Sequence, residues 1–161
     1  MDGKREAFSI AYAVSGLFSS RFIKITRDRS LGELNMSIVS AQELSQKKCL
    51  PCEGGVDPCP LDRARAQLAA IPLWALSDDG RWIRRQIRFK NFVEAVQCVN
   101  RVADLAESEG HHPDLHITGY RILGIELTTH AIGGLSDNDF IVAAKIDQLI
   151  ASQFPSVKVH P

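Results

Sequence analysis

Five histidines stand in this 161-residue sequence, and three of them are placed where proton-transfer chemistry could be done. His111 and His112 are adjacent and directly follow a predicted helix C-terminus. Pro113 stiffens the turn after them and biases His112 toward extended backbone. His130 sits at the end of a predicted strand, just before Gly133-Gly134. Rigid scaffolds present reactive groups at the ends of regular elements. A helix C-terminus also favours a protonated imidazole. Histidine titrates near neutral pH, so one such ring can give a proton and another can take one. A histidine pair in a solvated surface loop is the plainer reading of the same residues.

Other residue types compete for the chemistry. Three imidazoles can hold zinc, but this spacing lacks the helical i, i+4 pair or a ligand carboxylate at a recognised offset. Cys49 and Cys52 have CxxC spacing and Cys59 follows, all inside the Gly- and Pro-rich stretch CLPCEGGVDPCP. A structural zinc site needs a fourth ligand, commonly from a second pair, and Cys98 falls inside a predicted helix. A thioredoxin-like motif needs a strand-to-helix junction, which this loop is not. The loop therefore reads as ordered chain with ordinary thiols, with zinc as the alternative. The carboxylates near the histidines have structural roles open to them as well. Ser136-x-x-Asp139 is a capping box, and Glu107 falls on the last turn of a surface helix. Trp74 suits a core.

Composition narrows the rest. The chain carries 19 Lys+Arg against 19 Asp+Glu, which excludes a strongly basic nucleic-acid binder. Arg81, Arg84, Arg85, Arg88 and Lys90 cluster, but residues 62–161 hold 11 basic and 12 acidic side chains, so a solvated strand face accounts for them. No apolar run approaches the ~20 residues that span a bilayer. The expected protein is soluble. Residues 1–61 read as a separate N-terminal part, made of a leader and the Cys/Gly/Pro-rich loop. Residues 7–20 are uncharged and mildly apolar, a poor signal peptide because Asp2 and Glu6 precede them. Arg21, Lys24, Arg27 and Arg29 among serines suit an organelle presequence better. Met36 is an alternative start.

From residue 62 the pattern becomes regular, and these are the elements that must position the histidines. Asp62 is read as the cap of a helix through about Ile71, ended by Pro72. A short strand at 74–76 turns at SDDG into a strand at 81–89, with Ile83, Ile87 and Phe89 on one face and Arg85 as the imperfection. Phe92, Ala95, Val96, Val99, Val102, Ala103 and Ala106 repeat at helical spacing up to Gly110, a natural C′ residue. Residues 114–118 and 121–129 read as a second hairpin. On the later strand Glu126, Thr128 and, with continuation, His130 share a face. Ser136 opens a last helix. The predicted fold is α+β: a four-stranded antiparallel sheet with three helices packed on one face, over residues 62–161.

The run Glu107-x3-His111-His112-Pro113-x6-Tyr120-x9-His130-x8-Asp139 resembles the signature of the pterin-4a-carbinolamine dehydratases. The likeness covers roughly residues 62–152 and includes Trp74 and Phe89-Lys90-Asn91-Phe92. AESEGHHPDLH and THAIGGLSDNDF look like plant-type and bacterial members, and KKCLPCEGG resembles a segment that precedes the domain in some of them. The resemblance implies dehydration of 4a-hydroxytetrahydropterin to quinonoid dihydropterin, with no metal or organic cofactor. It implies His111 and His130 as the acid/base pair and His112 as an orienting group. Glu107 and Asp139 would hold histidines or pterin NH groups, and Trp74 would wall the pocket. It further implies a homodimer or homotetramer. The expected compartment is the cytoplasm or, on the presequence reading of the leader, the mitochondrial matrix. Many members carry Asp where this chain has Gly110. The competing reading is a binding module, because some relatives act as dimerisation cofactors of a transcription factor or assist assembly of a carbon-fixing enzyme.

Overall fold

A computed structural model describes residues 38–51 and 56–157. The leader reading of residues 1–35, the alternative start at Met36, and Cys52 lie outside the described residues. The sheet has strands β1 (Ala75–Leu76), β2 (Ile83–Arg88), β3 (Asp114–Thr118) and β4 (Ile122–Leu127). They are hydrogen-bonded in the order β1-β2-β4-β3, every pair antiparallel. The helices are α1 (Ala41–Gln46), α2 (Leu61–Gln67), α3 (Phe92–Glu109) and α4 (Asp137–Gln153). The predicted α+β sheet and its three helices are thus present, with the short α1 in addition.

Strand alternation produces the core. Ile83, Arg85 and Ile87 of β2 lie opposite Leu127, Ile125 and Leu123 of β4, and all six are buried. On the other face Arg84 pairs with Glu126 across the ladder at 3.1 Å. Buried side chains of α3 (Ala95, Cys98, Val102) and α4 (Phe140, Ala143, Ile146) join the sheet in one apolar cluster. Arg85 belongs to the inward face and does not break the pattern. Its guanidinium pairs with Asp147 of α4, which also accepts the indole N–H of Trp74 at 2.9 Å. Burial raises the Asp147 carboxyl above the usual range, against the pull of Arg85 and Trp74. Without that partner a buried cation would be very costly.

Four local expectations are corrected. The helix after the cysteine loop begins at Leu61 with Pro60 at the N-cap, so Asp62 sits in its first turn and makes no cap; it ends at Gln67 and tightens into a 3-10 turn. On α3, Phe92 is 53% exposed and Ala103 is exposed, while Cys98 is fully buried, so the apolar stripe is rotated relative to the sequence reading. β4 stops at Leu127, and His130 opens a 3-10 turn over His130–Ile132 instead of extending the strand. Finally, residues 38–50 are built into the described fold. Ser40 and Glu43 form a capping box that starts α1, and Leu44 is buried in the core cluster. A six-residue helix is too short to stand alone, and its mark in the sequence is the Ser40-x-x-Glu43 box without a sustained apolar period after it.

Candidate active site

Helix α3 delivers the histidine pair. Asn91 caps its start by accepting the Glu94 N–H at 2.9 Å. At its end Gly110 adopts φ +65°, the Gly110 N–H reaches Glu107 O, and the His111 N–H reaches Ala106 O. These two bonds form a Schellman motif. The left-handed residue turns the chain sharply, so His111 points inward and His112 outward: His111 is 3% exposed, whereas the His112 side chain is 60% exposed. His112 Nε2 lies 3.1 Å from Glu107 Oε1, one turn back on α3.

Asp139 is the centre of the site. It lies in the first turn of α4, fully buried, and closes the predicted capping box with Ser136. Its Oδ1 lies 2.8 Å from His111 Nε2. Its Oδ2 accepts the Ser136 N–H at 2.7 Å and the Thr129 hydroxyl at 2.8 Å. As a carboxylate Asp139 can only accept, so His111 Nε2 carries the proton in this bond. Thr129 has one proton to donate, and it goes to Asp139. The Ser136 hydroxyl therefore donates to Thr129 Oγ1 at 2.7 Å, and itself accepts the Asn138 N–H at 3.2 Å. The capping box and the contact with His111 are two uses of one carboxylate.

The same network places His130. Thr129 bridges to Gly134 through N–H···O at 2.8 Å, and the Gly133 N–H closes the turn onto His130 O at 3.1 Å. His130 follows Thr129 directly and is exposed. Its ring meets the Trp82 indole edge-on, with centroids 5.6 Å apart and planes at 78°. Trp82 was not among the residues the sequence singled out. The signal was its place one residue before β2, beside a hairpin turn. Thr128 holds that hairpin to the site by donating to Arg81 O at 2.8 Å.

The structure thus joins His111 with Asp139 and His112 with Glu107, and connects His130 to Asp139 through Thr129. Trp74 belongs to a different cluster: it is buried, and its polar contact is Asp147, about two turns along α4 from Asp139. Among the described residues no group of three His, Cys, Asp or Glu side chains is arranged to hold a metal ion. Cys59 is partly buried, and burial raises its thiol above the ordinary value.

A family model described as pterin 4 alpha carbinolamine dehydratase matches residues 57–149. The chain belongs to this family. Membership places it among the hydro-lyases. A Halorhodospira halophila protein provisionally named a pterin-4-alpha-carbinolamine dehydratase is 46% identical over 106 residues, covering 66% of this chain and 96% of its own length. The Arabidopsis thaliana protein named pterin-4-alpha-carbinolamine dehydratase 2, mitochondrial, is 46% identical over 114 residues, 68% of this chain and 60% of that protein. A crystal structure from Brucella melitensis, titled transcriptional coactivator/pterin dehydratase, superposes with TM-score 0.54 at 26% identity. It covers 58% of this chain and 98% of that one. Among the described residues no helix is long and apolar enough to cross a membrane.

Proposed function

We propose that this dehydratase-family chain converts 4a-hydroxytetrahydrobiopterin, a pterin-4a-carbinolamine, to quinonoid dihydropterin by histidine acid/base catalysis, as a step of tetrahydrobiopterin recycling. The carrying observation is the convergence on Asp139 of His111 and, through Thr129, of the turn that bears His130. The reaction breaks the C4a–O bond and removes the proton from N5, forming C4a=N5 and water. The hydroxyl leaves well only when protonated, so one acid and one base near neutral pKa suffice.

The sequence reading gave proton transfer to His111 and His130, and orientation to His112. Burial supports exchanging the two neighbours. His112 and His130 are exposed to an incoming pterin, with Glu107 steadying His112 and Trp82 steadying His130. His111 is buried and held by Asp139, which suits a supporting role. Trp74 drops out of the pocket in this reading.

The chain is further proposed to be a homodimer or homotetramer, since among the described residues β1 and β3 are the edge strands of the sheet, where a second copy could pair. It is proposed to act in the cytoplasm or the mitochondrial matrix. The test is stopped-flow decay of a 4a-hydroxypterin with and without protein. His112→Ala and His130→Ala should each lower the catalysed rate by about 10²-fold or more. A double variant with parental turnover would refute the assignment.

A further inference from the structure

The segment before residue 61 makes contacts that a leader or passive linker has no need of. Two buried amides grip its backbone in the manner of a strand ladder. The Gln67 side chain accepts the Val39 N–H at 3.0 Å and donates to Val39 O at 2.6 Å. The Asn138 side chain accepts the Leu50 N–H at 3.0 Å and donates to Leu50 O at 2.8 Å. Gln67 is 4% exposed and Asn138 is 1% exposed. Between the two grips, Gln148 of α4 donates to Ser45 Oγ at 2.7 Å, and Leu44 is buried.

The second grip falls on the neighbours of the site. The Asn138 N–H heads the chain through Ser136 and Thr129 to Asp139. Glu109, two residues before His111, accepts the Cys49 N–H at 3.1 Å and the ammonium groups of Lys48 at 3.2 Å and Lys145 at 2.7 Å. Lys145 belongs to α4, so Glu109 joins the end of α3, the N-terminal segment and α4. Burial opposes ionisation of Glu109, yet Lys145, the Cys49 N–H and Lys48 together hold its carboxyl down at about 2.

We propose that residues 38–50 are a strap belonging to the catalytic unit, and that through Asn138 and Glu109 they position the His111–Asp139 pair. The functional domain then begins near residue 38, not at 62. Asn138 and Glu109 are positioning residues. The kinetic consequence rests on the dehydratase reading; the structural one does not.

The full-length chain carries the test, with Asn138→Ala and Glu109→Gln against Gln67→Ala as control. Gln67 grips the same strap at the end away from the histidines. All three variants should lower the urea midpoint, because each loosens the strap. Only Asn138→Ala and Glu109→Gln should also lower kcat, by about tenfold with KM nearly constant. Only these two should move the His111 side-chain resonances in 1H–15N spectra. Glu109→Gln keeps the test open if Asn138→Ala does not fold. Equal kcat and parental His111 resonances in the strap-end and control variants would overturn the proposal. If the parent protein turned over no pterin, the dehydratase reading would fail, and the resonances alone would still decide the strap.

Discussion

Replacing Asp139 by Asn separates the two uses of this carboxylate. The Oδ2 side, with the Ser136 N–H and the Thr129 hydroxyl, can be kept by the amide oxygen. The Oδ1 side becomes an NH2 group facing His111 Nε2, which is 2.8 Å away. Two donors cannot share that contact, so His111 must shift its proton to Nδ1 and let Nε2 accept. One charge-assisted bond is lost, worth about 1.5–3 kcal/mol. Asp139→Ala strands all three donors in a site with no solvent access, and the expected loss rises to about 3–5 kcal/mol. The sum of three such bonds would be larger, but removing the carboxylate also removes its own desolvation cost. Urea unfolding measures both steps, and long-range 1H–15N spectra read the His111 tautomer directly. In the Asn variant the catalysed rate should also fall, by about 10²-fold, because the ring is held in the wrong state. An Asn variant within about 0.5 kcal/mol of the parent, with His111 still protonated on Nε2, would refute the network as drawn.

Further outcomes follow from other sites. Arg85→Ala should cost about 3–5 kcal/mol by leaving the Asp147 carboxyl without its cation, with only the Trp74 N–H as partner, whereas Arg85→Met with Asp147→Leu should recover part of it, both read by urea unfolding. Glu109 stabilises the fold through a carboxyl whose value drops from 4.5 to about 2 on folding. That contribution is complete above 4.5 and is lost as the pH falls toward 2, so Glu109→Gln should flatten the acid limb of a stability–pH curve. Trp82→Ala should abolish the ring-current displacement of the His130 proton resonances, and Trp82→Phe should restore part of it. Cys98, fully buried with its thiol pushed up to about 11, should resist a thiol reagent in the native protein and react on unfolding.

Much of the framework was legible because it is local. Period-two alternation marked β2, Gly110 marked the end of α3, and Ser136-x-x-Asp139 marked the start of α4. The misreadings have equally specific causes. Arg85 looked like a flaw in its strand because its partner, Asp147, lies 62 positions away. Phe92 looked like core because hydropathy gives the period of a helix but not which arc of it meets the sheet. His130 looked like strand because nothing in TTHAIGG says that pairing stops at Leu127.

The candidate site divides along the same line. Sequence alone supplied three histidines, two carboxylates and a family signature, and these fixed the class of chemistry. It could not say which carboxylate meets which histidine, since His111 and Asp139 are 28 positions apart and both carboxylates had ordinary helical roles open to them. Packing of α3 against α4 decided that pairing, and the left-handed turn at Gly110 decided that His111 is buried while His112 is exposed. The strap is the clearest case of what only tertiary structure could decide. Its amino acids carry little period and only the short Ser40-x-x-Glu43 capping signature, and its place depends on backbone hydrogen bonds to Gln67, Glu109 and Asn138, groups that no local pattern could connect to it.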